Sequence, residues 1–162
     1  MPAVDLRRRG VTVVWVDSRE ARLIHVEPAE PARTPLVRVE RLESDVPVHH
    51  HSTGHVRIHP PGRHGGGGAV EDRIEDARNE HLRAFVEDVA ARVDPDWDVE
   101  VVGPGTVHER LTRALRAEDR RHHRGRVVST AASRPLSDAQ LVARALELVG
   151  RPAPRRRARA AG

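Results

Sequence analysis

Residues 11–27 read VTVVWVDSREARLIHVE, and the division of this stretch decides the fold. "VTVVWVDS" is a dense run of β-branched residues, the pattern of a buried strand. "SRE" reads as a tight turn. "ARLIHVEP", ending at Pro28, repeats the apolar character, so the two runs form a hairpin inside a core.

Outward from the hairpin, Pro28, Pro31 and Pro35 break the chain, and "LVRVERL" (residues 36–42) alternates apolar and polar, as a half-exposed third strand does. Val70, Ile74, Ala77, His81, Phe85, Val89 and Val93 then recur at three- or four-residue steps. That spacing puts them on one face of a helix, with Leu82 and Val86 widening the stripe and His81 at the core edge. Glu71, Asp72, Glu75 and Asp76 suit the positive end of its dipole, and "DPDW" ends it. "DVEVVGPG" (residues 98–105) is a strand running into a glycine turn. Pro104 suits the first turn of a second helix, whose inner face is Val107, Leu111, Ala114 and Leu115. "GRVVST" (residues 125–130) is another strand. Ser137 with Gln140 three residues on forms a capping box for a third helix, with Leu141, Val142, Ala145 and Leu146 facing inward and Gly150 at its end.

The order is β-β-β-(β)-α-β-α-β-α, the optional strand being "HVRIH" at residues 55–59. Hairpin-joined early strands and later strands alternating with helices predict an α/β domain, one mixed sheet with helices packed on it. This domain covers residues 10–150. Residues 1–9 and 151–162 are expected to be disordered basic ends, and residues 44–68 a mobile His/Gly-rich excursion.

Composition narrows the function. Trp15, Phe85 and Trp97 are the only aromatic residues in 162, and there is no tyrosine, so no sheet face can stack bases as RNA-recognition motifs do. The absence of cysteine excludes disulfides and thiol chemistry. The formal net charge is +4, carried by arginine alone on the basic side and gathered at Arg7–Arg9, at Arg120 and Arg121, and from Arg155 to Arg159. Such clusters favour polyanions. No apolar run approaches the roughly 20 residues that cross a bilayer, and no signal-peptide core precedes the first strand. A cytoplasmic protein without a membrane partner is expected.

The stretch RHGGGG (residues 63–68) opens three readings: a connector, a phosphate cradle at a helix start, or a loop that reaches a partner. A connector joins domains, and here both flanks belong to one sheet. The stretch lacks the G-x-x-x-x-G-K-[ST] pattern, and Glu71 and Asp72 repel phosphate. His49, His50, His51, His55, His59 and His64 crowd the same excursion and offer imidazole ligands for zinc, nickel or copper. Exposed histidines that add pH-dependent positive charge are the plainer reading. Asp17, at the end of the first strand, is either a turn former or a nuclease-type metal carboxylate.

A strand, a basic glycine loop and a long charged helix in this order resemble the central domain of eukaryotic and archaeal class-1 peptide release factors. "VVGPGTVHERLTRAL" is similar to the GPG-containing segment of those proteins and of Pelota, and "VVWVDSREARLIHVE" to their opening hairpin. The small bacterial single-domain proteins labelled translational machinery proteins share the same series, from about Val11 to Gly150. The resemblance implies a ribonuclease-H-like, release-factor-central-domain topology and a partner that is the ribosome, ribosomal RNA or tRNA. It places the RNA contact at Arg57, Arg63, His64, Gly65, Gly66, Gly67 and Gly68. The family's catalytic glutamine falls on Gly67 or Gly68 and is absent. No catalytic residue, cofactor or peptidyl-tRNA hydrolysis is therefore expected. The alternative is a histidine-rich metal-binding protein or metal-dependent hydrolase using His49, His50, His51 and His55. A homodimer through an exposed edge strand is a further expectation.

Overall fold

The structure, a computed structural model, describes residues 9–28, 33–47 and 67–150. The opening stretch folds as the expected hairpin, with Val11–Val16 (β1) antiparallel to Glu20–Val26 (β2). Asp17 makes the turn between them: its Oδ1 accepts the backbone N–H groups of Arg19 and Glu20 at 2.7 and 2.9 Å. Val37–Glu43 (β3) adds antiparallel to β2. Three helices, Gly67–Ala91 (α1), Val107–Arg121 (α2) and Asp138–Val149 (α3), alternate with Asp98–Gly103 (β4) and Val128–Ala132 (β5). β4 joins β1 in parallel and β5 joins β4 in parallel, which gives one mixed sheet in the order β3-β2-β1-β4-β5. This is the expected α/β class and ribonuclease-H-like order. The optional strand at residues 55–59 lies outside the described residues.

All six residues of β1 are buried because both sheet faces are covered. Val14, Val16, Ala21, Leu23, Val99 and Val101 meet α1 and α2 on one face, through Phe85, Val89, Leu111 and Leu115 among others. Val13, Trp15, Ile24 and Val102 meet Leu141 and Ala145 of α3 on the other. On that second face a buried cation is held between elements. The Arg22 guanidinium lies 4.5 Å from the centre of the Trp15 ring and donates to Asp138 Oδ1 at 2.9 Å. Arg41 and Arg22, hydrogen-bonded to Asp138, hold its carboxyl below the usual aspartate range. Ser137 and Gln140 form the capping box expected for α3.

The boundaries shift where tertiary geometry overrides local pattern. β5 begins at Val128, because the Val127 N–H is taken by Asp98 Oδ1 at 2.7 Å. Leu146 stays 38% exposed, so the inner stripe of α3 is narrower than expected. Pro104 precedes α2 in a turn, and Thr106 is the residue before the helix. Gly105 takes a left-handed φ of +62° there, a conformation natural to glycine. Gly103 is required for another reason: a Cβ at this position would overlap the Val16 carbonyl oxygen. The two glycines of the GPG turn thus each answer a backbone requirement, a left-handed φ at Gly105 and a close strand contact at Gly103. The excursion is also anchored where it leaves the sheet. The Ser44 N–H donates to the Arg19 carbonyl at 2.7 Å, and Val46 is buried.

Candidate nucleic-acid interface

The crossover from β3 to β4 makes α1 run antiparallel to β4, so its amino end lies at the Gly103 end of the sheet. At about 1.5 Å per residue its 25 residues extend about 37 Å. The longest strands have seven residues and extend about 23 Å. The helix therefore outruns its floor. From residue 70 to residue 81 every position except the half-buried Arg78 is exposed, and burial begins at Leu82. Within this stretch Asn79 Oδ1 accepts from Arg110 of α2 at 3.3 Å. Val70 and Ile74 are 58% and 49% exposed, and His81 is exposed rather than at the core edge. These are corrections to the expected inner stripe: the period is helical, but no sheet lies opposite its first half.

Gly67 and Gly68 are the first two residues of α1, so part of the glycine run is helix rather than loop. Arg57, Arg63, His64, Gly65 and Gly66 lie outside the described residues, as do the candidate ligands His49, His50, His51 and His55. Among the described residues no group of three His, Cys, Asp or Glu side chains converges to hold a metal ion. The nuclease-type reading of Asp17 fails on geometry. Its carboxylate is engaged by the hairpin turn. Asp98 sits in register with Val11, at the far end of β1 from Asp17, and caps the Val127 N–H. Glu100 is bound by Arg144 on the α3 face. Asp17 and Asp98 lie at opposite ends of the sheet and Glu100, in register with Val13, lies between them.

A concentration of positive charge lies at the Gly10 end of the sheet, where α2 runs out and the chain turns toward β5. Arg116, Arg120, His123, Arg124 and Arg126 surround a shallow depression with Asp119 and Val128. The sequence marks Arg120 and Arg121 as a basic pair. It does not mark Arg116, Arg124 and Arg126, which only the turn after α2 brings together. The spacing of Arg113, Arg116 and Arg120 on one helix face was the available signal.

No helix among the described residues is long and apolar enough to cross a membrane. No family model matches the chain, and no curated protein is similar to it. Among solved structures it is similar to the Pelota protein of Thermoplasma acidophilum, at 12% identity with a TM-score of 0.43. The likeness covers 86% of this chain and 33% of that one, so this chain spans about a third of the length of that structure.

Proposed function

We propose that this chain is a translation-associated protein of the cytoplasm that binds the ribosome or tRNA without hydrolysing peptidyl-tRNA. One observation carries the reading: α1 holds Gly67 and Gly68 at the tip of an exposed overhang, ahead of the packed body. Glycine has no side chain and so lets a nucleic-acid backbone approach the tip closely; the attraction comes from the neighbouring cations and not from the helix end, beside which Glu71 and Asp72 stand. Arg57, Arg63, His64, Gly65 and Gly66 complete the contact, the cations attracting phosphate and the glycines admitting it. The class of partner comes from the sequence resemblance. Glycine where the family has glutamine offers no side chain to orient a water at the ester.

Sedimentation with purified ribosomes tests this. The protein should pellet at low salt and be released at high salt, and an R57Q/R63Q variant should remain in the supernatant at both. Wild-type protein that stays in the supernatant at low salt overturns the reading. Calorimetric titration with zinc covers the rival use of the excursion: tight stoichiometric binding abolished by H49A/H50A/H51A would favour a metal protein.

A further inference from the structure

We infer that the depression between the carboxyl end of α2 and the start of β5 is a second RNA-backbone contact, at the opposite end of the sheet from the α1 overhang. The inference takes its ligand class from the nucleic-acid reading but rests on different residues.

The first argument is charge left over after the fold has taken what it needs. Arg126 is almost wholly buried and belongs to the fold. Its Nε lies 3.0 and 2.9 Å from the two Asp119 carboxylate oxygens, and its Nη1 donates to the Asp94 carbonyl at 2.7 Å. That ion pair consumes the one carboxylate of the lining. Four guanidiniums against one carboxylate leave three positive charges, on Arg116, Arg120 and Arg124. Arg124 reaches Asp119 only at 3.8 Å. Arg116 donates to the Val128 carbonyl at 2.9 Å, which holds it beside β5 while its charge stays uncompensated. Arg120 makes no side-chain hydrogen bond or ion pair among the described residues.

The second argument weighs that charge against the helix dipole. The carboxyl end of α2 carries about half a negative charge, and basic residues there ordinarily serve to offset it. Three guanidiniums exceed that need several-fold, and Arg121 and His122 beside them are already engaged by Glu118, at 2.7 and 3.2 Å.

The third argument is chemical fit. Val128 is the one apolar residue of the lining, whereas protein interfaces centre on apolar and aromatic anchors. Guanidinium forks match phosphate oxygens, and contacts of this kind position a nucleic acid without reading its bases. Arg113, Arg116 and Arg120 continue along one face of α2, so the surface tracks a strand for about 10 Å. Glu109 stands on the same face, four residues before Arg113, as its one opposing charge.

Fluorescence anisotropy on the full chain tests the assignment, with a labelled 20-nucleotide oligouridine as probe. Each phosphate neutralised on a single strand contributes about 0.7 to the salt slope. An R113Q/R120Q variant should weaken binding at least fivefold and lower the slope by about 1.4, with an unchanged circular dichroism spectrum. E109Q, which removes the opposing charge, should tighten binding about twofold by the same electrostatic logic; a role confined to holding α2 together would not produce that gain. Unchanged affinity and slope in R113Q/R120Q overturn the inference, as does an E109Q that binds no better. Poly-glutamate that competes as well as RNA at equal charge overturns the RNA assignment in favour of an acidic protein partner. Oligouridine binding that persists in R57Q/R63Q but is lost in R113Q/R120Q, in a protein that fails to sediment with ribosomes, sustains this contact and sinks the translation reading alone.

Discussion

The two halves of α1 carry apolar residues at one period and share one helix, yet they have opposite environments. Val70, Ile74 and Ala77 are exposed, while Leu82, Phe85, Val86 and Val89 are buried against the sheet and α2. The second half has the wider stripe, with Leu82 and Val86 beside Phe85 and Val89, and the first half is crowded with charge; the strands below also end about 14 Å sooner than the helix does. Periodicity reports the face a helix could bury, and the length of the neighbouring element sets how much of that face it does bury.

The strongest way to break this comparison is to truncate one apolar side chain in each half. Phe85→Ala should cost about 3–5 kcal/mol, since a large aromatic leaves a cavity that the β-rich floor cannot refill. Ile74→Ala should change stability by no more than about 0.5 kcal/mol, as exposed substitutions do. Urea unfolding followed by tryptophan fluorescence measures both, because Trp15 and Trp97 lie in and beside the core. Comparable losses in the two variants would mean that the overhang is covered in solution.

Two glycines sharpen the same contrast at a smaller scale. Gly103→Ala forces a methyl group onto the Val16 carbonyl, where the two central strands end, and should destabilise by about 1–3 kcal/mol. Gly68→Ala, at the free end of α1, should instead stabilise by up to about 1 kcal/mol, because alanine is the better helix former. Thermal unfolding of the two variants should shift in opposite directions. A silent Gly103→Ala would show that the two strand ends are not held against each other, and a destabilising Gly68→Ala would show a packing role at the tip.

Much of the fold was legible because local and global signals agree. The unbroken β-branched run of β1 needs two covered faces, the alternation in β3 needs one, and the Ser137–Gln140 box fixes where α3 begins. The start of β5 was not legible, since it depends on Asp98 taking the Val127 N–H across 29 residues of chain. The polar pairs that join α2 to β5 and to the turn before it were also hidden. His108, whose Nδ1 lies 2.8 Å from Thr130 Oγ1, and the Asp119–Arg126 pair are ordinary hydrophilic letters until α2 and β5 are docked. For the candidate site, the glycine run announced itself by composition. The α2 depression did not, because residues from a helix, a turn and a strand build it.

The smallest expected effect belongs to a histidine on the covered side of the comparison, His25, buried in β2. His25 Nδ1 lies 3.2 Å from Thr12 Oγ1, while its Nε2 has no hydrogen-bond partner and stands 3.7 Å from a Glu40 carboxylate that also binds Arg92. Burial, and after it the positive charge of Arg38, hold the imidazole below its ordinary 6.5, although Glu40 and Asp94 pull the other way. The folded protein therefore keeps His25 neutral at a pH where the unfolded chain has begun to protonate it. Stability from this site is complete above about pH 6.5 and is lost as pH falls from there toward the depressed value. The melting temperature of wild-type protein should fall between pH 7.5 and 5.5 by more than that of H25Q. Trp97 is a local reporter, since its ring meets His25 edge-on at 6.4 Å, and its emission should titrate over the same window and lose that step in H25Q. A pH dependence that H25Q leaves unchanged would show that the buried imidazole is not the group that titrates.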